Sequence, residues 1–221
     1  NNLGIFYTRK ETTDSVVVSD YKELKLIKLI ENYTDYEHIF IDIGAHIGKF
    51  SIYLSNISPK AKILAIEPNP SNYNVLVRNI ELNSNLNIYP INVALSDAQT
   101  TLAMIYDKKS PDEGHIYKTC DLKKNEINNS FLVESKTLDE VIIENNLDIS
   151  QIRLIKIDVE GHELSVFRGA KSFLEYSSNT LIIFEALCKE ELNLICEFLK
   201  DYGYNICALD KSNYLARKGA D

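Results

Sequence analysis

Short apolar runs alternate with amphipathic segments along most of the chain from Ile39 onward. After the first run, Ile47, Phe50 and Leu54 recur at helical spacing and predict a helix. This alternation is typical of βαβ units and predicts a mostly parallel sheet flanked by helices. The predicted strands cover residues 39–43, 62–66, 86–93, 100–106, 131–138, 152–159, 180–184, 205–209 and 214–217.

The two ends of the chain follow different patterns. Residues 1–38 are predicted to be an N-terminal, largely helical extension, with a short strand at Val16–Val18 and a helix over residues 21–33. Residues 39–221 are predicted to form one domain whose last two strands make an antiparallel pair. One continuous helix is expected to carry the apolar residues Val166, Ala170, Phe173 and Leu174.

A polar insertion interrupts the βα series at residues 107–130, which are rich in Lys, Asp and Asn. A long insertion inside a compact domain is usually functional. We therefore expect it to lie over the carboxyl edge of the sheet and to shape a substrate pocket there.

Composition narrows the classes of partner. The 221 residues carry a net charge of −8 and include no apolar stretch that could span a bilayer, so nucleic acid and membrane are both poor partners. The four cysteines have no CxxC spacing, which favours a reducing, cytoplasmic setting. The only methionine is Met104, so we expect the chain to be a piece of a longer one.

A glycine turn follows the first predicted strand, in the segment Asp42-Ile43-Gly44-Ala45-His46-Ile47-Gly48. Glu67 ends the second strand, nineteen residues beyond Gly48, where a carboxylate can accept hydrogen bonds from both ribose hydroxyls. Asp42 lies inside an apolar strand and is expected to organise the turn or to contact a ligand, because a buried carboxylate needs a partner. Ala45, His46 and Ile47 crowd the place where a diphosphate would bind. The turn therefore favours S-adenosylmethionine over a dinucleotide.

A second group of polar residues follows the predicted strand 152–159, in the segment Lys156-Ile157-Asp158-Val159-Glu160-Gly161-His162-Glu163. Asp158 and Glu160 project to the same side, because side chains alternate along a strand. Three acidic groups and a histidine so close to a strand end indicate a reaction site, although Glu163 fits better as a charge at a helix N-terminus.

These residues resemble the FkbM family of S-adenosylmethionine-dependent methyltransferases. The resemblance covers residues 38–209, and the segment 155–163 is its most specific part. The matching segments are 40–48, 65–69, 92–97, 137–139, 155–163, 168–170 and 182–185. The family often has a small amide side chain where this chain has His46.

The resemblance implies an α/β fold of the class I methyltransferase (Rossmann-like) type, a three-layer sandwich. Its sheet has about seven mostly parallel strands, with the last one antiparallel. It also implies that a small-molecule hydroxyl acceptor, such as a sugar or a secondary metabolite, is O-methylated. The residues implied to bind the cofactor are Asp42, Gly44, Ala45, His46 and Gly48 at the methionine end, Glu67 and Pro68 at the ribose, Asn92 and Ala94 near the adenine, and Asp158.

Methyl transfer to a hydroxyl also needs a group that takes the hydroxyl proton. The candidates at the carboxyl edge are Asp158, Glu160, His162, Glu185 and, with less support, His115. One alternative is a metal-assisted methyltransferase in which Asp158 and Glu185 hold a divalent ion. Others are a non-catalytic cofactor-binding domain of a longer chain and, last, an NAD-linked oxidoreductase. The sequence is compatible with a homo-oligomer.

Overall fold

The computed structural model describes residues 4–19, 37–85, 87–107, 110–118 and 130–219. The strands are β1 Ile39–Ile43, β2 Lys62–Ile66, β3 Ile88–Ile91, β4 Ala94–Leu95, β5 Thr100–Asp107, β6 Ser110–Lys118, β7 Ser130–Lys136, β8 Ile152–Ile157, β9 Leu181–Glu185, β10 Tyr204–Ala208 and β11 Asn213–Lys218. The helices are α1 Asp14–Ser19, α2 Lys49–Ile57, α3 Pro70–Leu82, α4 Leu138–Glu144, α5 Glu163–Arg168, α6 Lys171–Tyr176 and α7 Lys189–Lys200, with a 3-10 turn at Ile149–Gln151. None of these described helices is long and apolar enough to cross a bilayer.

A seven-stranded sheet forms the centre of the protein, in the order β10-β11-β9-β8-β1-β2-β3. Strand β11 runs antiparallel to both of its neighbours, whereas β3, β2, β1, β8 and β9 pair in parallel. The fold prediction is confirmed, because this sheet with helices on both faces is the class I methyltransferase architecture.

Helices cover both faces of the sheet because the central strands are apolar on both sides. In β1, Ile41 and Ile43 pack on the face covered by α4, α5, α6 and α7. Phe40 packs on the opposite face with α2 and α3. Alternation along the strand therefore turns Asp42 toward the face that carries α2.

A second, four-stranded sheet has the order β4-β7-β5-β6. The apolar pattern predicted strands at residues 100–106 and 131–138, and both exist as β5 and β7. The sequence did not predict that they form a sheet of their own. Ala94, Leu102, Met104 and Val133 make its small core.

The strand predicted at Val16–Val18 is wrong, because these residues lie in helix α1. The backbone N–H groups of Val16 and Val17 donate to the carbonyl oxygen of Thr13 and close the first helical turn. The predicted helix over residues 21–33 lies outside the described residues.

The single helix predicted after β8 is also wrong, since α5 and α6 are separate helices. The break falls at Gly169, whose backbone passes so close to Ser96 that a Cβ there would overlap the Ser96 carbonyl oxygen. Ala170 then precedes α6, and its apolar side chain stays in the core. Spacing alone could not show this break, because the apolar residues keep helical periodicity across it.

Candidate active site

The glycine turn after β1 brings two loops together at the carboxyl edge of the sheet. Gly44 has φ 82°, and a Cβ at this position would overlap the carbonyl oxygen of Asp158, which follows β8. The backbone N–H groups of Gly44 and Ala45 both donate to the carbonyl oxygen of Ile66 at the end of β2. Strands β1, β2 and β8 therefore end at one point, as expected for a ligand site in an open α/β sheet.

Asp42 is fully buried beneath this turn. Its Oδ2 accepts a hydrogen bond of 2.6 Å from Ser51 Oγ in helix α2. Asp42 also lines the cleft above the turn. Both roles that the sequence predicted for it, organising the loop and facing a ligand, thus agree with its position.

Glu67 is 3% exposed, and its carboxylate accepts three hydrogen bonds from the protein. Oε2 accepts from the His46 N–H at 2.8 Å, while Oε1 accepts from the Asn69 N–H at 2.9 Å and from Asn72 Nδ2 at 3.4 Å. A carboxylate offers about four acceptor positions, so roughly one stays open toward a ligand. The sequence predicted that Glu67 binds both ribose hydroxyls, whereas this arrangement leaves room for one.

Burial raises the pKa of Glu67 to about 7, although its hydrogen bonds act in the opposite direction. The negative charge of Asp42 adds to the increase. Glu67 therefore changes its protonation state near neutral pH, which is unusual for a carboxyl group.

One cleft joins these residues to the loop after β8. It contains about 1020 Å³ of space free of atoms, part of it open to solvent. Among the described residues, its walls are formed by Thr13, Val17, Asp42, Gly44, Ala45, His46, Lys49, Phe50, Glu67, Pro68, Asn72, Met104, Gly114, Ile116, Lys156, Asp158, Val159 and Glu160.

Lys156 is one of the residues of this cleft that the sequence analysis missed. Its side chain is buried, with Nζ 2.8 Å from Asp158 Oδ2 and 5.7 Å from the centre of the Phe50 ring. A lysine in the middle of an apolar strand was the available signal, because buried ammonium groups are rare and need a partner.

Three carboxylates lie together where strands β8 and β9 end. Oxygen atoms of Asp158, Glu160 and Glu185 are all within 4.8 Å of one another. Burial, followed by the negative charge of Asp158, raises the pKa of Glu185. Glu160 has φ 54°, a strained conformation for a residue with a side chain, and such strain is often found at reaction sites.

The described part of the polar insertion lies over the loop after β8 and lines the cleft, which agrees with its predicted position. His115 in β6 places Nδ1 2.9 Å from the carbonyl oxygen of Glu160. Gly114 and Ile116 beside it, with Met104 from β5, give the cleft an apolar wall. Residues 108–109 and 119–129 of the insertion lie outside the described residues, and a role in acceptor binding stays a prediction.

Several predicted site residues do not belong to the described wall of the cleft. Nε2 of His162 lies 2.9 Å from Ser96 Oγ, and Asn92 Nδ2 donates to the carbonyl oxygens of Glu67 and Pro68. Ala94 packs in the core of the second sheet, and Gly48 packs against Leu76 of α3. Direct cofactor or base roles for these residues stay predictions. Glu185 lies beside the cleft through its place in the carboxylate group.

The family model described as "Methyltransferase FkbM domain" matches residues 42–206. The chain belongs to the FkbM methyltransferase family. The matched region contains the glycine turn, Glu67 and the loop after β8, so the family prediction is confirmed together with the family's cofactor, S-adenosylmethionine.

Individual relatives that are named as methyltransferases agree with this assignment. The chain is 35% identical over 152 residues to methyltransferase sdnD of Sordaria araneosa, covering 58% of this chain and 59% of the relative. It is 24% identical over 161 residues to the hexuronic acid methyltransferase AglP of Haloferax volcanii, covering 73% and 61%. The chain thus spans about three fifths of the length of these curated relatives.

Among solved structures, the precorrin-6y C5,15-methyltransferase of Geobacter metallireducens superposes with a TM-score of 0.59 at 16% identity, covering 99% of both chains. At this identity the likeness concerns the fold alone.

The residues present in this FkbM chain fit the cofactor. The open acceptor position of Glu67 suits one ribose hydroxyl, and a carboxylate-lined turn suits a cofactor that carries a positive charge on sulfur. His46 has φ 51° and donates its backbone N–H to Glu67, so its backbone conformation helps to shape the turn.

Proposed function

We propose that this protein is an S-adenosylmethionine-dependent methyltransferase that O-methylates a hydroxyl of a small acceptor. One observation carries the proposal. A single cleft is lined by the glycine turn and Glu67 and also by Lys156, Asp158 and Glu160. A cofactor site and a group able to take a proton thus face the same space, as methyl transfer to a hydroxyl requires.

When bound, S-adenosylmethionine would supply an electrophilic methyl group on a positively charged sulfur; the methyl–sulfur bond would break and leave S-adenosylhomocysteine as a neutral thioether. The acceptor hydroxyl must lose its proton as its oxygen takes the methyl group, and we assign that proton to the Glu160 carboxylate. Lys156 holds Asp158 by their ion pair and places an ammonium group where negative charge develops on the acceptor oxygen. Met104 and Ile116 keep water from that position.

The acceptor is proposed to be a hydroxyl compound such as a sugar or a secondary metabolite. The likeness to a relative named for hexuronic acid supports a sugar. The Asp158, Glu160 and Glu185 carboxylates would repel an acidic group bound beside the reacting hydroxyl, so an acidic sugar would bind with its own carboxylate away from them. Free thiols at Cys188, Cys196 and Cys207 agree with the proposed cytoplasmic setting.

A screen of sugars and hydroxylated metabolites, read as release of S-adenosylhomocysteine, tests this function. With the best acceptor, Glu160→Gln and Lys156→Met are each expected to lower turnover at least about tenfold while affinity for S-adenosylhomocysteine changes little. The matched controls are Glu197→Gln and Lys189→Met, which remove the same charges from exposed positions of helix α7. Normal turnover in both cleft variants would remove these residues from the mechanism.

A metal-assisted reaction is the second candidate, favoured by the three carboxylates within 4.8 Å. Lys156 already supplies one positive charge to this group, so we expect the activity to survive EDTA. Loss of turnover in EDTA, restored by added magnesium, would instead support an ion held by Asp158 and Glu185.

A further inference from the structure

Residues 4–19, called the N-terminal strap below, precede the region that matches the family and yet form part of the cleft wall. Thr13 and Val17 line the cleft. The strap lies along helix α3, where Asn83 Oδ1 accepts from the Ile5 N–H at 2.7 Å and Asn83 Nδ2 donates to the Ile5 carbonyl oxygen at 2.7 Å. The strap is therefore attached to the C-terminal end of helix α3, and it reaches the cleft at Thr13 and Val17.

The strap is held in shape by a charged pair at its centre. Arg9 donates to both oxygens of Asp14, with Nε and Nη2 at 3.0 and 2.8 Å and the backbone N–H at 2.8 Å. Asp14 is fully buried. Burial acts to raise the pKa of Asp14, but the hydrogen bonds and charge of Arg9 outweigh it and lower the pKa, with a further contribution from His46 of the glycine turn. A carboxylate buried in this way depends on its arginine.

The same arginine extends toward the cofactor site. Arg9 Nη1 donates to Ser71 Oγ at 2.8 Å, and Nη2 donates to Asn72 Oδ1 at 2.8 Å. With its oxygen facing Arg9, the Asn72 amide turns its Nδ2 toward Glu67 Oε1. Continuous hydrogen bonds thus run from Asp14 through Arg9 and Asn72 to the carboxylate assigned to the ribose.

We propose that the N-terminal strap forms part of the cofactor-binding site. In it, Arg9 is a positioning residue that acts on Glu67 through Asn72. The inference rests on the proposed cofactor, and it adds residues outside the matched family region to its site. Thr13 and Val17 cover the bound nucleoside, and Arg9 fixes the direction of the Asn72 amide so that Glu67 keeps an open acceptor position.

Titration calorimetry with S-adenosylhomocysteine tests the proposal without a known acceptor. Arg9→Met is expected to weaken binding at least tenfold, because the Asn72 amide loses the partner that orients it. Lys10→Met removes a positive charge from the next, exposed residue of the strap and should bind within twofold of the wild type. The double variant of Arg9→Met with Asn72→Ala should lose less affinity than the sum of the two single losses, since both changes break the same connection to Glu67.

Two further measurements separate positioning from a loss of folding. The hydrogen bond from Asn72 lowers the pKa of Glu67, so the pH midpoint of binding should move upward in Arg9→Met. In the wild type, bound S-adenosylhomocysteine should slow hydrogen exchange of the amides in residues 4–19, a result that needs no variant. Absence of that protection, or binding by Arg9→Met within twofold of the wild type, would overturn the role of the strap. A wild type that does not bind S-adenosylhomocysteine at all would instead overturn the proposed function.

Discussion

At the scale of a single residue, we expect Glu67 to make cofactor binding depend on pH. Hydrogen bonds donated by a ribose hydroxyl favour the ionised carboxylate, and with a pKa of about 7 that form is scarce in the free protein at pH 6. Affinity for S-adenosylhomocysteine is therefore expected to rise about tenfold between pH 6 and pH 8. Calorimetry at several pH values measures it directly.

The matched variant for this effect is Glu67→Ala. It should bind about 1.5–3 kcal/mol more weakly than the wild type at pH 8, because the hydroxyl loses a charged acceptor. Its affinity should also no longer depend on pH in this range. Wild-type affinity that stays constant, or falls, from pH 6 to pH 8 would contradict the role given to Glu67.

The sequence predicted the residues at the ends of strands better than those on other elements. Asp42, Gly44 and Glu67 were predictable because parallel strands end at a common edge, so polar residues there must converge. Lys156 was missed because its significance depends on burial beside Asp158. Thr13 was missed because its place on the cleft results from contacts between segments far apart in the chain.

At the scale of elements, the close approach of residue 169 to Ser96 explains why the break between α5 and α6 contains a glycine, and a substitution tests this. Gly169 has an ordinary backbone conformation, so Gly169→Ala should destabilise the protein only through overlap with the Ser96 carbonyl oxygen. We expect a loss of about 1–3 kcal/mol or more in the free energy of unfolding, measured in urea.

Gly203 provides the opposite case for comparison. It has φ 79°, and no atom lies within 4 Å of a Cβ built there, so Gly203→Ala should cost only about 1–2 kcal/mol of backbone strain. A Gly169→Ala protein as stable as the wild type would show that the α5–α6 loop can move away from Ser96.

The second sheet marks the limit of prediction from periodicity. Alternation predicted β5 and β7 as strands, because a period of two is a local property. Their pairing order depends on a hairpin with β6 inside a segment whose polar composition hid the strand. Pairing partners are a property of the whole fold, and the local pattern of apolar and polar residues does not specify them.

For the whole molecule, buried acidic groups predict a fall in stability toward alkaline pH. Burial raises the pKa of Glu67 to about 7, and burial together with Glu191 raises the pKa of Glu163. The folded state then binds protons more tightly than the unfolded state, so stability is lost as pH rises from about 4.5 through the folded pKa. For Glu67 the loss amounts to about 3 kcal/mol at most.

Melting temperatures of the free protein between pH 5.5 and 8.5 measure this fall. Glu163→Gln should reduce the slope, because the amide keeps an oxygen for the Val159 N–H and does not ionise. The lowered pKa of His38 acts in the opposite direction, but it is a single, partly exposed group. A melting temperature that rises across this range would show that the buried carboxyl groups do not set the pH dependence.

The close passage of Gly44 against Asp158 has a consequence for how this protein can diversify. The turn proposed to receive the cofactor and the loop proposed to carry the proton acceptor touch backbone to backbone, so a change in either one disturbs the other. The apolar wall of the acceptor side belongs to a separate small sheet with its own core. Substitutions at Met104 or Ile116 can therefore alter acceptor choice while the reacting groups keep their geometry, and new substrates should be acquired there first during evolution.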